Sequence, residues 1–217
     1  MSFKFQVSTA SICFTILFLA VAMVAAGHFY ITQKVRWLPG ESFSGIPEQQ
    51  LSSLKNALQG HLHTLVVDIG ERSLYQPQGM RAAERYIEEQ FAAYGLTANT
   101  QNYTVDAGLI QRATDRLRAG HGNWLHGQLP IYPDELGDAE LKNIWVEIPG
   151  THSPERLLVV GAHFDTVANT AGANDNATGV AALLELAQVL SKVPPRVTVI
   201  LAALSAEELP IGGVSGA

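Results

Sequence analysis

The sequence predicts an α/β fold in which a mostly parallel sheet is flanked by helices and preceded by an N-terminal transmembrane helix. Three observations lead to this prediction. An apolar stretch occupies residues 10–27, two amphipathic helical patterns precede any strand pattern, and a strand, loop, helix, strand succession runs from residue 157 to residue 204. A helix between two buried strands is typical of a right-handed parallel crossover, which lets both strands run in the same direction.

Composition limits the functions that the chain can have. Its 217 residues include 20 carboxylates and 14 Lys and Arg side chains, for a formal net charge of −6. There is no basic run, so we do not expect nucleic acid as a partner. Cys13 is the single cysteine, which excludes a disulfide framework and a cysteine zinc site. A metal would therefore be bound by His and carboxylate side chains, and the oligomeric state is not indicated.

The N-terminal segment, residues 1–33, has the character of a membrane segment. No formally charged side chain lies between Lys4 and Lys34, and residues 10–27 are almost continuously apolar. Such a stretch is about long enough to cross the roughly 30 Å apolar core of a bilayer. The small residues before Gly27 also fit a cleaved signal peptide, which is the alternative. Either interpretation places the rest of the chain outside the cytoplasm, as a single-pass membrane protein or an exported one.

Residues 34–46 contain Pro and Gly and are predicted to be a linker, followed by one domain at residues 47–217. This domain opens with two amphipathic helices, the first ending at Gly70 and the second at Gly95, a residue type suited to a helix C-terminus. Apolar residues recur at helical spacing in both, namely Leu51, Leu54, Leu58, Leu62, Leu65 and Ile69 in the first and Met80, Ala83, Ile87, Phe91 and Tyr94 in the second.

The remaining elements follow from composition and alternation. Gly, Pro and Asp at short intervals indicate irregular structure, whereas unbroken apolar runs bounded by turn residues indicate strands buried on both faces. The predicted order is a strand at 97–105, an irregular segment at 107–140, an alternating strand at 143–148, a strand buried on both faces at 157–162, a helix at 180–190 and another buried strand at 197–204.

Polar side chains follow directly on these elements. His163 and Asp165 come after the first buried strand, Asp175 leads into the helix, and Glu207 and Glu208 follow the last strand. Ligands bind at the carboxyl ends of strands in α/β sheets, so we expect these side chains to converge there. A solvated loop, a helix N-cap or a wet surface would explain each motif alone. Their combination favours a site for Zn²⁺ or a similar ion.

The stretch VVGAHFDTVANTAGANDNATGVAALLELAQVL, followed by VILAALSAEE, resembles the zinc aminopeptidase family that includes bacterial leucyl aminopeptidases and glutamate carboxypeptidase-like and transferrin-receptor-like members. The segment IGERSLYQPQGMRAAERYIEEQFAAYG is similar to the region that precedes the metal domain in many bacterial members. The resemblance covers roughly residues 47–208. It implies a phosphorylase/hydrolase-like sheet and an enzyme that hydrolyses N-terminal residues of peptides.

The resemblance also implies a role for each site residue. His163 would bind one zinc, Asp175 would bridge two zincs, and Glu208 would bind the other zinc. Glu207 would be the general base that takes a proton from water and passes it to the leaving amine. Asp165 would belong to the catalytic site by orienting the ring of His163. In such sites two ions about 3.5–4 Å apart act together on the scissile carbonyl.

The family uses two further ligands, an Asp and a His, downstream of the Glu pair, and residues 209–217 contain neither. Each metal would keep two protein ligands instead of three, so we expect a C-terminally truncated peptidase domain with weakened metal binding and doubtful activity. From residue 141 onward the chain provides about three strands and one helix, which should leave strand 197–204 with an uncovered edge and face.

Two other functions stay open at this point. One is a non-enzymatic, membrane-tethered ectodomain or inactive fragment, and the other is an enzyme like the glutaminyl cyclases, which share the fold and use one zinc. The remaining histidines receive no functional role, because each is expected to be an ordinary surface or helix residue. They are His61, His63, His121, His126 and His152.

Overall fold

The structure, a computed structural model, describes residues 47–118 and 137–208. The predicted membrane segment at residues 10–27, the linker at 34–46 and the stretch 209–217 lie outside the described residues. Within the two described ranges, no helix combines the length and the apolar character that crossing a bilayer requires.

Helices and one four-stranded sheet make up the described part of the chain. α1 continues into a π-helical turn, Thr64–Ile69, and an irregular turn, Ala173–Ala177, precedes α4. In chain order the elements are α1 (Glu48–His63), α2 (Pro77–Ala93), β1 (Asn99–Val105), α3 (Ala107–Arg118), β2 (Ala139–Ile148), β3 (Ser153–His163), α4 (Thr178–Lys192) and β4 (Val197–Leu204).

The two predicted N-terminal helices are confirmed. α2 begins with Pro77, which is suited to the first helical position because its missing N–H would have no partner there. Its apolar face is buried as predicted, and Gly95 follows it with a φ of +77°. α1 and its π-helical turn end at Gly70, where φ is +78°. The Leu stripe of α1 is only partly covered, because Leu65 is fully buried whereas Leu51 is exposed.

The prediction of irregular structure at residues 107–140 is wrong at both ends, because Ala107–Arg118 form α3 and β2 begins at Ala139. The Asp106 side chain accepts a hydrogen bond from the N–H of Leu109 at 3.0 Å and so caps the helix. Ile110 and Ala113, three residues apart, are buried against the core. So short an apolar repeat is difficult to recognise in a sequence that is otherwise polar.

The sheet has the order β1-β2-β4-β3. β3 and β4 are parallel and are joined by the predicted helical crossover through α4, but β1 pairs antiparallel with β2, and β2 pairs antiparallel with β4. The prediction of a mostly parallel sheet is therefore wrong for the described residues, which form a mixed sheet. A parallel pair needs a long crossover, and α4 provides one such crossover in this part of the chain.

The position of β4 corrects a further expectation. β4 lies between β2 and β3, so it does not have the uncovered edge that the sequence predicted. Val199, Leu201 and Ala203 are buried on one face, in agreement with a core strand. The edge strands of the described sheet are β1 and β3, and β3 pairs with β4 alone among the described strands.

β3 was expected to be buried on both faces, and this expectation is wrong. Three consecutive apolar side chains of β3 are 50–64% exposed, namely Leu157, Leu158 and Val159. Since consecutive residues of a strand point to opposite faces, both faces are open along this stretch. An unbroken apolar run identifies the strand, but its position at the edge of the sheet decides its exposure.

The core lies between one face of the sheet and helices α2 and α4. α2 contacts β2 and α4, and α4 contacts β3 and β4. On that face, Ile144, Val146 and Ile148 of β2 stand opposite buried residues of β4. Burying each such side chain stabilises the fold by about 1.5–3 kcal/mol. This packing fixes the N-terminus of α4 beside the carboxyl ends of β3 and β4.

Candidate metal centre

His163 is the last residue of β3, where it is paired with Leu204 of β4. Its side chain is 12% exposed, so most of the imidazole ring is buried. Nε2 lies 3.1 Å from Oδ1 of Asp175, and Nδ1 lies 3.4 Å from Oδ1 of Asp165. One ring nitrogen therefore faces an open acidic group, and the other faces a buried one.

Asp175 lies in the irregular turn before α4. The turn begins after Gly172, which has a φ of +52°, and its peptide bond between Asp175 and Asn176 is cis. The amide oxygen of Asn176 accepts the backbone N–H of Gly179 at 3.0 Å, which satisfies a free donor in the first turn of α4. The Asp175 side chain is 74% exposed and points toward His163.

The Glu pair follows β4 and is positioned through its backbone. Asp165, which is 3% exposed, accepts the N–H of Glu207 at 3.2 Å and the N–H of Glu208 at 2.9 Å. Ser205, two residues before Glu207, donates its N–H to the Asn143 side chain at 3.0 Å. Asp165 thus contacts both the His163 ring and the segment that carries the two glutamates. Sequence reasoning predicted the contact with His163 but missed the contacts with the glutamate segment.

Three of the predicted site residues come together. One ligand atom from each of His163, Asp175 and Glu208 lies within 4.8 Å of the others. In residues 47–118 and 137–208 this is the one group of at least three His, Cys, Asp or Glu side chains with such geometry. One imidazole nitrogen and two carboxylates are a donor set that zinc accepts in proteins. The residues present therefore fit a zinc ion.

Glu207 lies beside this group and remains open to solvent. Its Oε2 is 3.8 Å from Nε2 of His163, and its side chain is 62% exposed. It is not part of the ligand group, whereas its neighbour Glu208 is half-buried and belongs to it. The two adjacent carboxylates thus occupy different environments.

Several carboxylates lie close together in the group of His163, Asp175 and Glu208, and their negative charges affect its pKa values. Burial and the nearby carboxylates of Asp175 and Asp165 raise the pKa of Glu208 to about 7. The hydrogen bond to Asp165 raises the pKa of His163 to about 9, although burial opposes this, and Glu207 and Asp175 add to the increase. A cation bound among these carboxylates would offset their mutual repulsion.

Arg72 is a residue of the site region that sequence reasoning missed. Its side chain is fully buried, and its Nε donates to the carbonyl oxygen of Phe164 at 2.7 Å, next to His163. Burial lowers its pKa to about 10, and the charge of Asp165 opposes this shift. No sequence motif identifies such a residue. Its hydrogen-bond acceptors are backbone carbonyls, which every residue possesses, so they leave no pattern of side chains in the sequence.

Three of the unassigned histidines lie in the described residues, and these three do not join the metal group. His61 is buried in α1, where its Nε2 lies 3.0 Å from Oε1 of Glu185 and its Nδ1 lies 2.6 Å from the Tyr86 hydroxyl. His63 and His152 are exposed. The remaining two, His121 and His126, lie outside the described residues.

Comparison with known proteins is consistent with this geometry. Residues 143–217, which include every predicted site residue, match Peptidase family M28. A probable zinc metalloprotease of Leptosphaeria maculans is 37% identical over 184 residues, which are 77% of this chain and 38% of that protein. Aminopeptidase YwaD of Bacillus subtilis is 42% identical over 59 residues, 27% of this chain and 13% of that protein. The chain thus spans well under half the length of either relative.

Two solved structures show the fold. The zinc aminopeptidase BSAP from Bacillus subtilis has a TM-score of 0.54 at 16% identity and is matched over 72% of this chain and 62% of that one. The glutaminyl cyclase of Fimbriiglobus ruber has a TM-score of 0.51 at 23% identity, over 71% of this chain and 46% of that one. These likenesses show that the chain has the mixed α/β fold of both groups.

Proposed function

Because the chain carries a Peptidase family M28 domain in residues 143–217, we propose that it acts as a zinc metallopeptidase of the aminopeptidase type, removing N-terminal residues from peptides. The observation that carries this proposal is the convergence of His163, Asp175 and Glu208 at the carboxyl edge of β3 and β4. The names of the relatives, a zinc metalloprotease and an aminopeptidase, support the same reaction.

His163, Asp175 and Glu208 would be the residues that hold zinc. When bound, zinc polarises a peptide carbonyl and lowers the pKa of water. Glu207 supplies the base: it is exposed, faces His163 at 3.8 Å, and is free of the ligand group, so its carboxylate can accept a proton from water and deliver it to the leaving amine. Asp165 fixes the position of the His163 ring relative to the Glu pair through the contacts described above.

We propose that the complete site holds two zinc ions with Asp175 between them. The support is the openness of this carboxylate, which is 74% exposed and has one oxygen facing His163. Asp175 would then contribute to the binding of both ions.

We propose an extracytoplasmic location for the domain. The support comes from the sequence alone, since residues 10–27 have the length and apolar character of a membrane anchor or an export signal. The substrates would then be peptides outside the cytoplasm.

The test uses the full chain, purified in mild detergent with zinc supplied. Metal analysis counts the bound ions, and release of an N-terminal residue is followed with an unblocked peptide and with the same peptide acetylated at its N-terminus. We expect cleavage of the unblocked peptide only. Glu207→Gln should reduce kcat about 10²–10⁴-fold while zinc content is unchanged. Glu147→Gln, an exposed glutamate on β2, is the matched control and should behave as wild type.

Other outcomes point elsewhere. A chain that binds no zinc, or one in which Glu207→Gln is as active as wild type, would contradict the proposal and favour the non-enzymatic ectodomain. A peptide with N-terminal glutamine separates the cyclase alternative, because ring closure with loss of ammonia leaves the peptide chain uncut.

A further inference from the structure

The guanidinium of Arg72 lies at the meeting point of three segments. Arg72 is 0% exposed, and its side chain donates only to backbone carbonyl oxygens in the contacts that the structure shows. The acceptors are Phe164 at 2.7 Å from Nε, Leu65 at 2.8 Å, Gly70 at 2.7 Å and Ala171 at 2.9 Å from Nη1, and Gly172 at 3.2 Å from Nη2.

These acceptors belong to the segments that carry the metal ligands. Phe164 lies between His163 and Asp165 in the chain. Gly172 precedes the turn that holds Asp175, and its carbonyl also accepts the N–H at the end of that turn. The other acceptors lie on the π-helical turn after α1 or immediately beside these two segments. One side chain therefore connects the His163 segment, the Asp175 turn and the helical layer.

We propose that Arg72 is a positioning residue of the metal centre: by binding the carbonyls of Phe164 and Gly172 with one guanidinium, it fixes the separation between His163 and Asp175. This inference rests on the proposed zinc site for its purpose, but the contacts that it invokes exist in the protein without metal. Arg72 does not touch the ligand atoms, so it acts through the backbone.

The backbone of Arg72 is itself held against the His163 segment. Its N–H donates to Oγ1 of Thr166 at 3.1 Å, and its carbonyl accepts the N–H of Thr166 at 3.2 Å. This reciprocal pair means that the side chain extends from an anchored point. A movement of residues 164–166 would break hydrogen bonds of both the side chain and the backbone of Arg72.

Arginine is suited to this role in a way that lysine is not. Its planar fork presents five N–H donors in fixed directions, whereas an ammonium group presents three from a single point. A buried cation needs acceptors for its donors, and here each of the three guanidinium nitrogens donates to at least one backbone carbonyl oxygen. The packing is close on the acceptor side, because a Cβ on Gly172 would lie 3.0 Å from Nη2 of Arg72.

The experiment compares Arg72→Lys and Arg72→Met with wild type in the full chain. Zinc affinity is measured by competition with a chelator, and amide hydrogen exchange without metal is measured for peptides covering residues 163–178. We expect both variants to bind zinc about 10–100-fold more weakly, the range found when groups that orient metal ligands are removed. We also expect exchange in residues 163–178 to become at least several-fold faster, with lysine failing to restore either property.

Ile87→Ala is the control for a merely structural effect. Ile87 is fully buried in α2, and its truncation destabilises the core without removing any of the hydrogen bonds that Arg72 makes. We expect its zinc affinity to stay within about twofold of wild type. Equal loss of affinity in Ile87→Ala and the Arg72 variants, or wild-type affinity and exchange in Arg72→Lys, would overturn the proposal.

A milder variant keeps the test decisive if the Arg72 substitutions prevent folding. Thr166→Val removes the hydroxyl that accepts the Arg72 N–H and leaves the guanidinium in place. It should accelerate exchange in residues 163–178, and unchanged exchange would count against the proposal. If wild type binds no zinc, the proposed function fails, while the exchange comparison still decides whether Arg72 positions the two segments.

Discussion

Replacing Asp165 by Asn should change both the strength and the pH dependence of zinc binding. The carboxylate accepts two backbone N–H groups from the Glu pair and lies 3.4 Å from Nδ1 of His163. An Asn side chain has one acceptor oxygen, so its NH₂ group must face one of these donors. Removal of such a supporting group costs about 10–100-fold in metal affinity, or about 1.4–2.7 kcal/mol.

The pH dependence follows from His163. Asp165 is the main cause that raises the pKa of His163 to about 9, and zinc binds the neutral ring. At pH 7 about 1% of the wild-type ring is therefore neutral, and its apparent affinity lies about 100-fold below the limit at high pH. In the variant the pKa should fall toward about 6.5, so that most of the ring is neutral at pH 7.

In the Asp165→Asn variant, the loss of support weakens zinc binding, whereas the lower pKa of His163 strengthens it at neutral pH. These opposite effects on zinc affinity distinguish the two contributions of Asp165. We expect the variant to bind zinc about 10–100-fold more weakly than wild type near pH 9 and about equally near pH 7. Competitive titration at several pH values measures both curves. Asp138→Asn is the matched control, since Asp138 also accepts a backbone N–H, from Ala107 at 2.9 Å, but is exposed. Parallel curves for wild type and Asp165→Asn would refute the reasoning.

Three further predictions concern single residues. The pKa of Glu208 is raised to about 7, and zinc needs the ionised carboxylate. Below about pH 6, protons on both His163 and Glu208 should therefore compete with zinc, and the zinc affinity of wild type should fall about 100-fold per pH unit. A titration in which zinc displaces only one proton would contradict this. Gly172→Ala should destabilise the fold by about 1–3 kcal/mol, because a Cβ there overlaps the side chain of Thr166. Gly60→Ala should instead stabilise the fold by about 0.5–1 kcal/mol, because Gly60 lies in α1 with open space around it. Denaturant unfolding measures both variants, and equal unfolding midpoints would refute the comparison. Asp106→Ala removes the cap of α3 and should cost about 1 kcal/mol by the same assay, with an unchanged midpoint as the contrary result.

Local patterns in the sequence were sufficient to predict most helices and strands. α2 is the clearest case, because Met80, Ala83, Ile87 and Phe91 form one apolar face and Gly95 ends it, whatever the helix packs against. α3 was missed because its main signals, a capping aspartate and two buried apolar residues, are brief. Helix prediction thus succeeded where the pattern extended over several turns.

The order of the strands could not be predicted in the same way. The runs that form β2, β3 and β4 are recognisable in sequence, but which strand occupies the edge depends on pairing between distant segments. Leu157 and Leu201 both lie in apolar runs, yet one is 64% exposed and the other is fully buried. The difference is their place in the sheet, which a local pattern does not encode.

The sequence was sufficient to predict that three candidate ligands converge, but not the backbone contacts that support them. His163, Asp175 and Glu208 were expected to converge because they follow strand ends or precede a helix, and the structure brings them together. The bonds from Arg72 and Asp165 to backbone groups were not foreseen, because carbonyl and N–H groups occur at every residue. Their functional roles remain predictions for the experiments above.

The edge strand β3 has a practical consequence for handling the purified protein. The first half of β3 is unsuited to pairing with another molecule, since Pro154 lacks an N–H and Glu155 and Arg156 carry exposed charge. Leu157 to Val159 have no such safeguard: they combine exposed hydrocarbon with strand geometry. Concentrated solutions should therefore self-associate through this short segment, and dilution or mild detergent should keep the chain dispersed.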